Sequence, residues 1–204
     1  MKIDNIKRIA GGNYLNFFGL EGHGKSGSDQ VERNFTWEFF SRKKEIPKEP
    51  DDKKSQADAV VVVALHTDED RHNPKIVLVK QFRPPIRDFV YELPAGIIDP
   101  GENAEQAARR ELKEETGLDA TEILNQSPKV YNSPGCTDES CCIITLACEG
   151  KLSTNNIEDN ESIIPMLLSP KELIELMETK PVMGAKCWLT IHAITPMLMH
   201  DFEK

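Results

Sequence analysis

The hydrophobic and polar positions change period several times along the chain, and each change marks an element. AVVVVAL (59–65) and KIVLVKQF (75–82) are β-branched, apolar runs of strand length, and the polar DEDRHNP between them predicts a hairpin. DFVYELP (88–94) reads as a third strand, and SCCIITLACEG (140–150) and SIIPMLL (162–168) as two more, while EILNQSPKVY (122–131) stays ambiguous. A helical period appears over 104–116 and over SPKELIELMETK (169–180), with Ser169 as N-cap and Pro170 in the first turn. A last helix is expected over roughly 184–200, kinked or ended by Pro196. Strands, a helix, more strands and terminal helices predict an α/β or α+β layered domain.

Upstream lie aromatic stretches around Tyr14–Phe18 and Phe35–Phe40, then the charged, proline-containing EIPKEPDDKKSQ (45–56), which reads as a linker or exposed loop. The expected organisation is an N-terminal β region over 1–47, a linker over 48–57 and the main domain over 58–204. Composition adds only bounds. With 204 residues, 39% apolar and 29% charged, the chain reads as an ordinary globular protein. Its net charge of −9 argues against a nucleic-acid partner but not against a small anionic substrate met by local arginines or metal ions. No apolar run approaches membrane-spanning length, and the first residues lack an apolar signal region, so no membrane partner is expected. Cys136, Cys141, Cys142, Cys148 and Cys187 lack zinc-knuckle spacing and read as reduced thiols of a cytoplasmic protein.

The chemistry concentrates in GIIDPGENAEQAARRELKEETGL (96–118). Pro100-Gly101 makes a turn, Asn103 with Gln106 forms a capping box, strong helix formers follow, and Gly117 ends the helix. At about 100° per residue, Glu111 and Glu115 fall within about 40° of each other and continue the stripe of Ala104, Ala107 and Ala108, with Glu114 beside them. Glu105, Gln106, Arg109, Lys113 and Thr116 lie on the opposite side. The alanine stripe faces protein, so Glu111 and Glu115 point inward, where clustered carboxylates are costly unless neutralised. Arg110 is placed to pair with Glu114, which leaves Glu111 and Glu115 wanting a cation; oxygen-only ligands suit Mg2+, or Mn2+ in its place. The plain alternative for a glutamate-rich helix is a solvated charged face.

This segment resembles the Nudix box, G-x5-E-x7-R-E-U-x-E-E-x-G-U, and matches at Gly96, Glu102, Arg110, Glu111, Leu112, Glu114, Glu115, Gly117 and Leu118. KQFRPP (80–85), YELPAGIIDPGE (91–102), Pro134 sixteen residues beyond the box, and FTWEFFSRKK (35–44) are similar to the ADP-ribose pyrophosphatase branch of that family. The resemblance implies an α/β fold, a Nudix-type α/β/α sandwich with a mixed sheet and a small N-terminal β region. It implies Mg2+-dependent hydrolysis of the diphosphate of ADP-ribose to AMP and ribose 5-phosphate. Glu111, Glu115 and the Ala95 carbonyl would hold metal, and Glu114 a further ion or a water. Gly96, Glu102, Arg110 and Gly117 would be structural in the box. The general base would be Glu161, or Glu158, in STNNIEDNES (153–162).

For substrate, the resemblance implies that Trp37 stacks on adenine, Arg42 reaches adenine or phosphate, and Arg83 binds the diphosphate as a fork. Pro134, Gly135 and Glu139 would shape the terminal-ribose pocket. Each has a plain alternative: Trp37 as core, the arginines as surface charges, Glu139, Glu158 and Glu161 as solvated loop acids. A second aromatic for adenine is sought among Tyr14, Phe17 and Phe18. The resemblance also implies a homodimer in which the N-terminal part is exchanged. Other substrates in view are ADP-glucose, GDP-mannose and oxidised nucleoside diphosphates, and a non-catalytic nucleotide-binding Nudix fold is the reading from another class.

GLEGHGKS (19–26) satisfies the P-loop pattern G-x-x-x-x-G-K-[ST]. SGSDQVERNF after it offers no helix N-terminus for phosphate, so the segment reads as a glycine-rich turn between N-terminal strands.

Overall fold

Three long strands open the chain: β1 (Lys2–Gly11), β2 (Asn16–Ser26) and β3 (Val31–Ser41), paired antiparallel in the order β1-β2-β3. The computed structural model describes residues 1–28, 30–49, 56–67, 74–157 and 162–200. GLEGHGKS lies inside β2 and is not the turn its glycines suggest. The glycines serve cross-strand packing: a Cβ at Gly22 would come 2.5 Å from the Lys2 carbonyl oxygen and 2.6 Å from Phe35 Cζ. One at Gly24 would come 2.6 Å from Met1 Sδ. The next element after β2 is the strand β3, so no helix follows to receive a phosphate there.

The rest of the chain builds β4 (Ala59–His66), β5 (Lys75–Arg83), β6 (Asp88–Glu92), β7 (Ala95–Ile97), α1 (Ala104–Thr116), β8 (Asp119–Gln126), β9 (Val130–Tyr131), β10 (Ser140–Glu149), β11 (Ile163–Leu168), α2 (Pro170–Glu178) and α3 (Ala185–His200). The sheet runs β11-β5-β4-β10-β8, with β6 on β5, β7 on β4 and β9 on β10. The ambiguous 122–131 segment resolves into β8 and β9, and the expected third strand breaks into β6 and β7. Neighbours pair antiparallel at β11/β5, β4/β5 and β10/β8. β4 and β10 run parallel, because their C-terminal ends meet: Thr67 N–H donates to the Cys148 carbonyl at 3.3 Å, and His66 Nε2 lies 3.0 Å from the Gly150 carbonyl oxygen. The sheet is therefore mixed.

AVVVVAL is apolar throughout because both faces of β4 are covered. Val60, Val62 and Ala64 join Val77, Ile144 and Leu146 in a core completed by Ala107, Ala108 and Leu112 of α1, while Val61 and Val63 are buried on the other face. α3 continues through Pro196 to His200 and does not end there; a proline removes one i−4 hydrogen bond, which a helix can bridge. Among the described residues no helix is long and apolar enough to cross a membrane. All five cysteines are free, four are buried, and burial pushes the Cys148 and Cys187 thiols up to about 12, which makes them inert. Two compact units emerge: residues 1–56 with 129–141, and residues 57–128 with 142–204.

Candidate active site

In the second unit, the first turn of α1 is fixed by a complete capping box. The Asn103 side chain accepts from Gln106 N–H at 2.9 Å, and Gln106 Oε1 accepts from Asn103 N–H at 2.9 Å. Gly117, at φ +77°, ends the helix in the left-handed conformation that favours glycine. Ala107, Ala108 and Leu112 are fully buried, so the alanine stripe does face the core. Glu115 follows it inward and is 4% exposed. Thr116 departs from the expected solvent side and is fully buried. The chain reverses at Gly117 and returns over it, with Ser153 N–H donating to the Thr116 carbonyl at 2.9 Å and the Thr116 hydroxyl to the Leu112 carbonyl at 2.5 Å.

The inward acids meet the loop that precedes the helix. Ala95 N–H donates to Glu115 Oε2 at 3.3 Å. At Gly96 a Cβ would lie 1.8 Å from Glu111 Oε1, so only glycine lets that carboxylate sit against β7. Arg110 ties the remaining acids together. Its Nε and Nη2 donate to the two oxygens of Glu102, each at 3.0 Å, and Nη2 also donates to the Ile97 carbonyl at 2.9 Å. Its Nη1 donates to Glu114 Oε2 at 2.9 Å and to Glu111 Oε1 at 2.7 Å. The pairing with Glu114 is as expected, but Glu111 shares the same guanidinium, because one terminal nitrogen reaches both acids. Glu102 thus anchors the box arginine. The hydrogen bond from Arg110 holds the Glu102 carboxyl below the usual carboxylate range, and the same bond raises Arg110.

Among the described residues no three acid, histidine or cysteine side chains already converge as a ligand set. The donors themselves still fit a hard divalent ion. They are carboxylate oxygens held at the Ala95–Gly96 backbone, on adjacent turns of one rigid helix, and the glycine at 96 removes the side chain that would block Glu111. Arg83 stands at the end of β5 and donates through Nε to Glu92 Oε2 at 2.6 Å. Glu161 and Glu158 lie outside the described residues.

The other candidates gather in the first unit. Trp37 Nε1 donates to the Gly135 carbonyl at 3.0 Å, Phe40 N–H to the Cys136 carbonyl at 2.8 Å, and Arg42 Nε to Glu139 Oε1 at 2.8 Å. Glu139 Oε2 also accepts from Asn132 Nδ2 at 2.9 Å. The loop 132–139 is thereby clipped to β3. Between them opens a cleft of about 310 Å3 lined by Leu20, Trp37, Phe39, Tyr131, Pro134 and Thr137. Tyr131, which the sequence reading did not single out, is the other exposed aromatic lining this cleft. Phe18 is buried and Phe17 packs on Phe40, whereas Tyr131 shares the cleft with Trp37. Its position at the edge of the turn-rich NSPG was the available signal.

Comparison with known proteins bears on the same residues. A family model described as the NUDIX domain matches residues 55–195. An ADP-ribose pyrophosphatase of Bacillus subtilis is 36% identical over 148 residues, 71% of each chain. An ADP-sugar pyrophosphatase of Mus musculus is 34% identical over 147 residues, covering 69% of this chain and 65% of the relative. An ADP-ribose pyrophosphatase of Saccharomyces cerevisiae is 38% identical over 128 residues, covering 58% of this chain and only 55% of the yeast protein. A crystal structure of an ADP compounds hydrolase superposes with a TM-score of 0.56 over 87% of this chain and 82% of its own, at 18% identity, a likeness of fold. With a mixed α/β fold, an intact box on a capped helix and a matching model over most of its length, the chain belongs to the Nudix family.

Proposed function

We propose that the chain is a Mg2+-dependent pyrophosphohydrolase, with Mn2+ able to substitute, that cuts ADP-ribose into AMP and ribose 5-phosphate. The observation that carries this reading is the seating of Glu111 against Gly96 with Glu115 on Ala95 N–H, which brings two buried-side carboxylates and the 95–96 backbone together. Relatives named as ADP-ribose and ADP-sugar pyrophosphatases favour an ADP-linked diphosphate.

Glu111, Glu115 and the Ala95 carbonyl hold the ion, and Glu114 a further ion or the attacking water. A divalent ion there supplies positive charge against the diphosphate and eases deprotonation of water. Arg110, fixed by Glu102, keeps the carboxylates from repelling one another. Arg83 binds the diphosphate, Trp37 stacks on the base, Arg42 reaches base or phosphate, and Pro134, Gly135 and Glu139 shape the sugar end. Water adds to one phosphorus, the bridging P–O bond breaks, its electron pair leaves with the other phosphate, and the water proton passes to Glu161, with Glu158 the second choice.

The working form is a homodimer. This rests on the resemblance, which implies that the N-terminal part is exchanged with a partner to build a shared site. A monomeric mass in solution contradicts this.

The direct test is release of AMP and ribose 5-phosphate from ADP-ribose with Mg2+ and with chelator. Turnover is expected to need the ion and to fall on the order of a hundredfold or more in Glu115→Gln. Turnover of a different nucleotide sugar alone would move the substrate; none on any diphosphate would remove the catalytic reading.

A further inference from the structure

Arg83 differs from the arginines of α1 in how it is held. Arg110 engages Nε, Nη1 and Nη2, and Arg109 engages all three with Glu105 and the Ala120 carbonyl. Arg83 donates through Nε alone, to Glu92 Oε2 at 2.6 Å. Among the described residues its two terminal nitrogens make no hydrogen bond. Arg42 repeats the pattern, with Nε on Glu139.

The register shows why Glu92 matters. β5 and β6 pair antiparallel with Arg83 opposite Asp88 and Val79 opposite Glu92. Arg83 therefore folds back along the sheet face, past the Gln81–Val90 pair, to reach Glu92. Asp88, the nearer acid, is turned to its own chain and accepts from Phe89 N–H at 2.7 Å. The guanidinium is thus drawn to the C-terminal end of β6, where Glu92 immediately precedes Leu93–Gly96, the stretch that leads into the box. Glu92 is braced in turn. Tyr91 N–H donates to the Val182 carbonyl and Gly184 N–H to the Tyr91 carbonyl, each at 2.9 Å, and a Cβ at Gly184 would stand 3.4 Å from Glu92 Oε1. α3 begins at the next residue, and a helix N-terminus favours a carboxylate beside it.

We propose that Glu92 is a positioning residue for diphosphate binding: by holding Nε of Arg83 it turns both terminal nitrogens outward as a fork. This rests on Arg83 being the diphosphate ligand in the function proposed above. A carboxylate near an anionic substrate opposes binding by its charge. A single bond to Nε is the arrangement in which it orients the arginine and leaves the paired N–H edge that matches phosphate oxygens.

Steady-state kinetics on ADP-ribose with Glu92→Ala, Glu92→Gln, Arg83→Ala and the Glu92→Ala/Arg83→Ala double variant test it. Glu92→Ala is expected to raise KM about tenfold with kcat within about twofold. Glu92→Gln, which keeps an oxygen for Nε, recovers most of that loss. In the Arg83→Ala background Glu92→Ala adds nothing. A wild-type KM in Glu92→Ala, or the same loss in both backgrounds, overturns the positioning role and leaves the proposed activity standing. An unchanged KM in Arg83→Ala overturns it through the arginine. Should the wild type turn over no ADP-ribose, calorimetric titration with ADP and AMP decides. A preference for ADP that Glu92→Ala abolishes and Glu92→Gln retains supports the role, and no preference in the wild type overturns it.

Discussion

The box helix and the N-terminal sheet both carry side chains that we propose meet substrate, and they hold them by opposite means. α1 buries Ala107, Ala108 and Leu112 completely in the core, and its acids inherit their direction from that packing. β1 and β3 are exposed at most positions, and Trp37 and Arg42 are fixed instead by hydrogen bonds to Gly135 and Glu139. Inward charges need a rigid element, because a small displacement changes both their solvation and their spacing. An aromatic face and an arginine tolerate looser seating, and polar clips open to water contribute only about 1 kcal/mol each. Damage to the core should therefore be global, and damage to a clip local.

The largest break comes from Leu112→Ala. It is expected to cost about 3 kcal/mol, read as a lowered denaturant midpoint, with activity lost as the fold is lost. Trp37→Ala should raise KM for ADP-ribose about tenfold while the denaturation midpoint stays close to wild type. If it unfolds the protein as Leu112→Ala does, the contrast between the two regions fails. The smallest effect is on acid stability. Glu102 is held below its ordinary value of 4.5 by Arg110, so the folded state binds its proton less readily than the unfolded chain. Its contribution is fully present above that value and is lost as pH falls through the lower folded pKa. Glu102→Gln should flatten the stability profile below about pH 4.5; an unchanged slope would mean that the Arg110 contact adds nothing in solution.

What could be read from the sequence was what local rules decide. Asn103, Gln106 and Gly117 delimit α1 through caps alone, and the alanine stripe orients it. Thr116 escaped because its burial depends on the returning chain at Ser153, which no helical wheel contains. The β2 glycines escaped for a similar reason: they look like turn formers until Phe35 and Met1 pack across them. Arg110 was assigned one acid where it takes three, since the reach of a guanidinium over a loop is a tertiary matter. Tyr131 and Glu92 belong to no helical period, and only their partners reveal them.

The parallel pairing of β4 with β10 has a consequence in time. β4 ends at His66 and β10 begins at Ser140, so every residue of the box is made between two strands that are neighbours in the finished sheet. A chain emerging from the ribosome can wind α1 on its own caps early, but the surface that helix packs against is incomplete until β10 arrives. During that interval the apolar stripe of α1 lacks the side of its core that Ile144, Leu146 and Cys148 supply. Completion of the core beneath the box helix is thus a late event in the life of the chain.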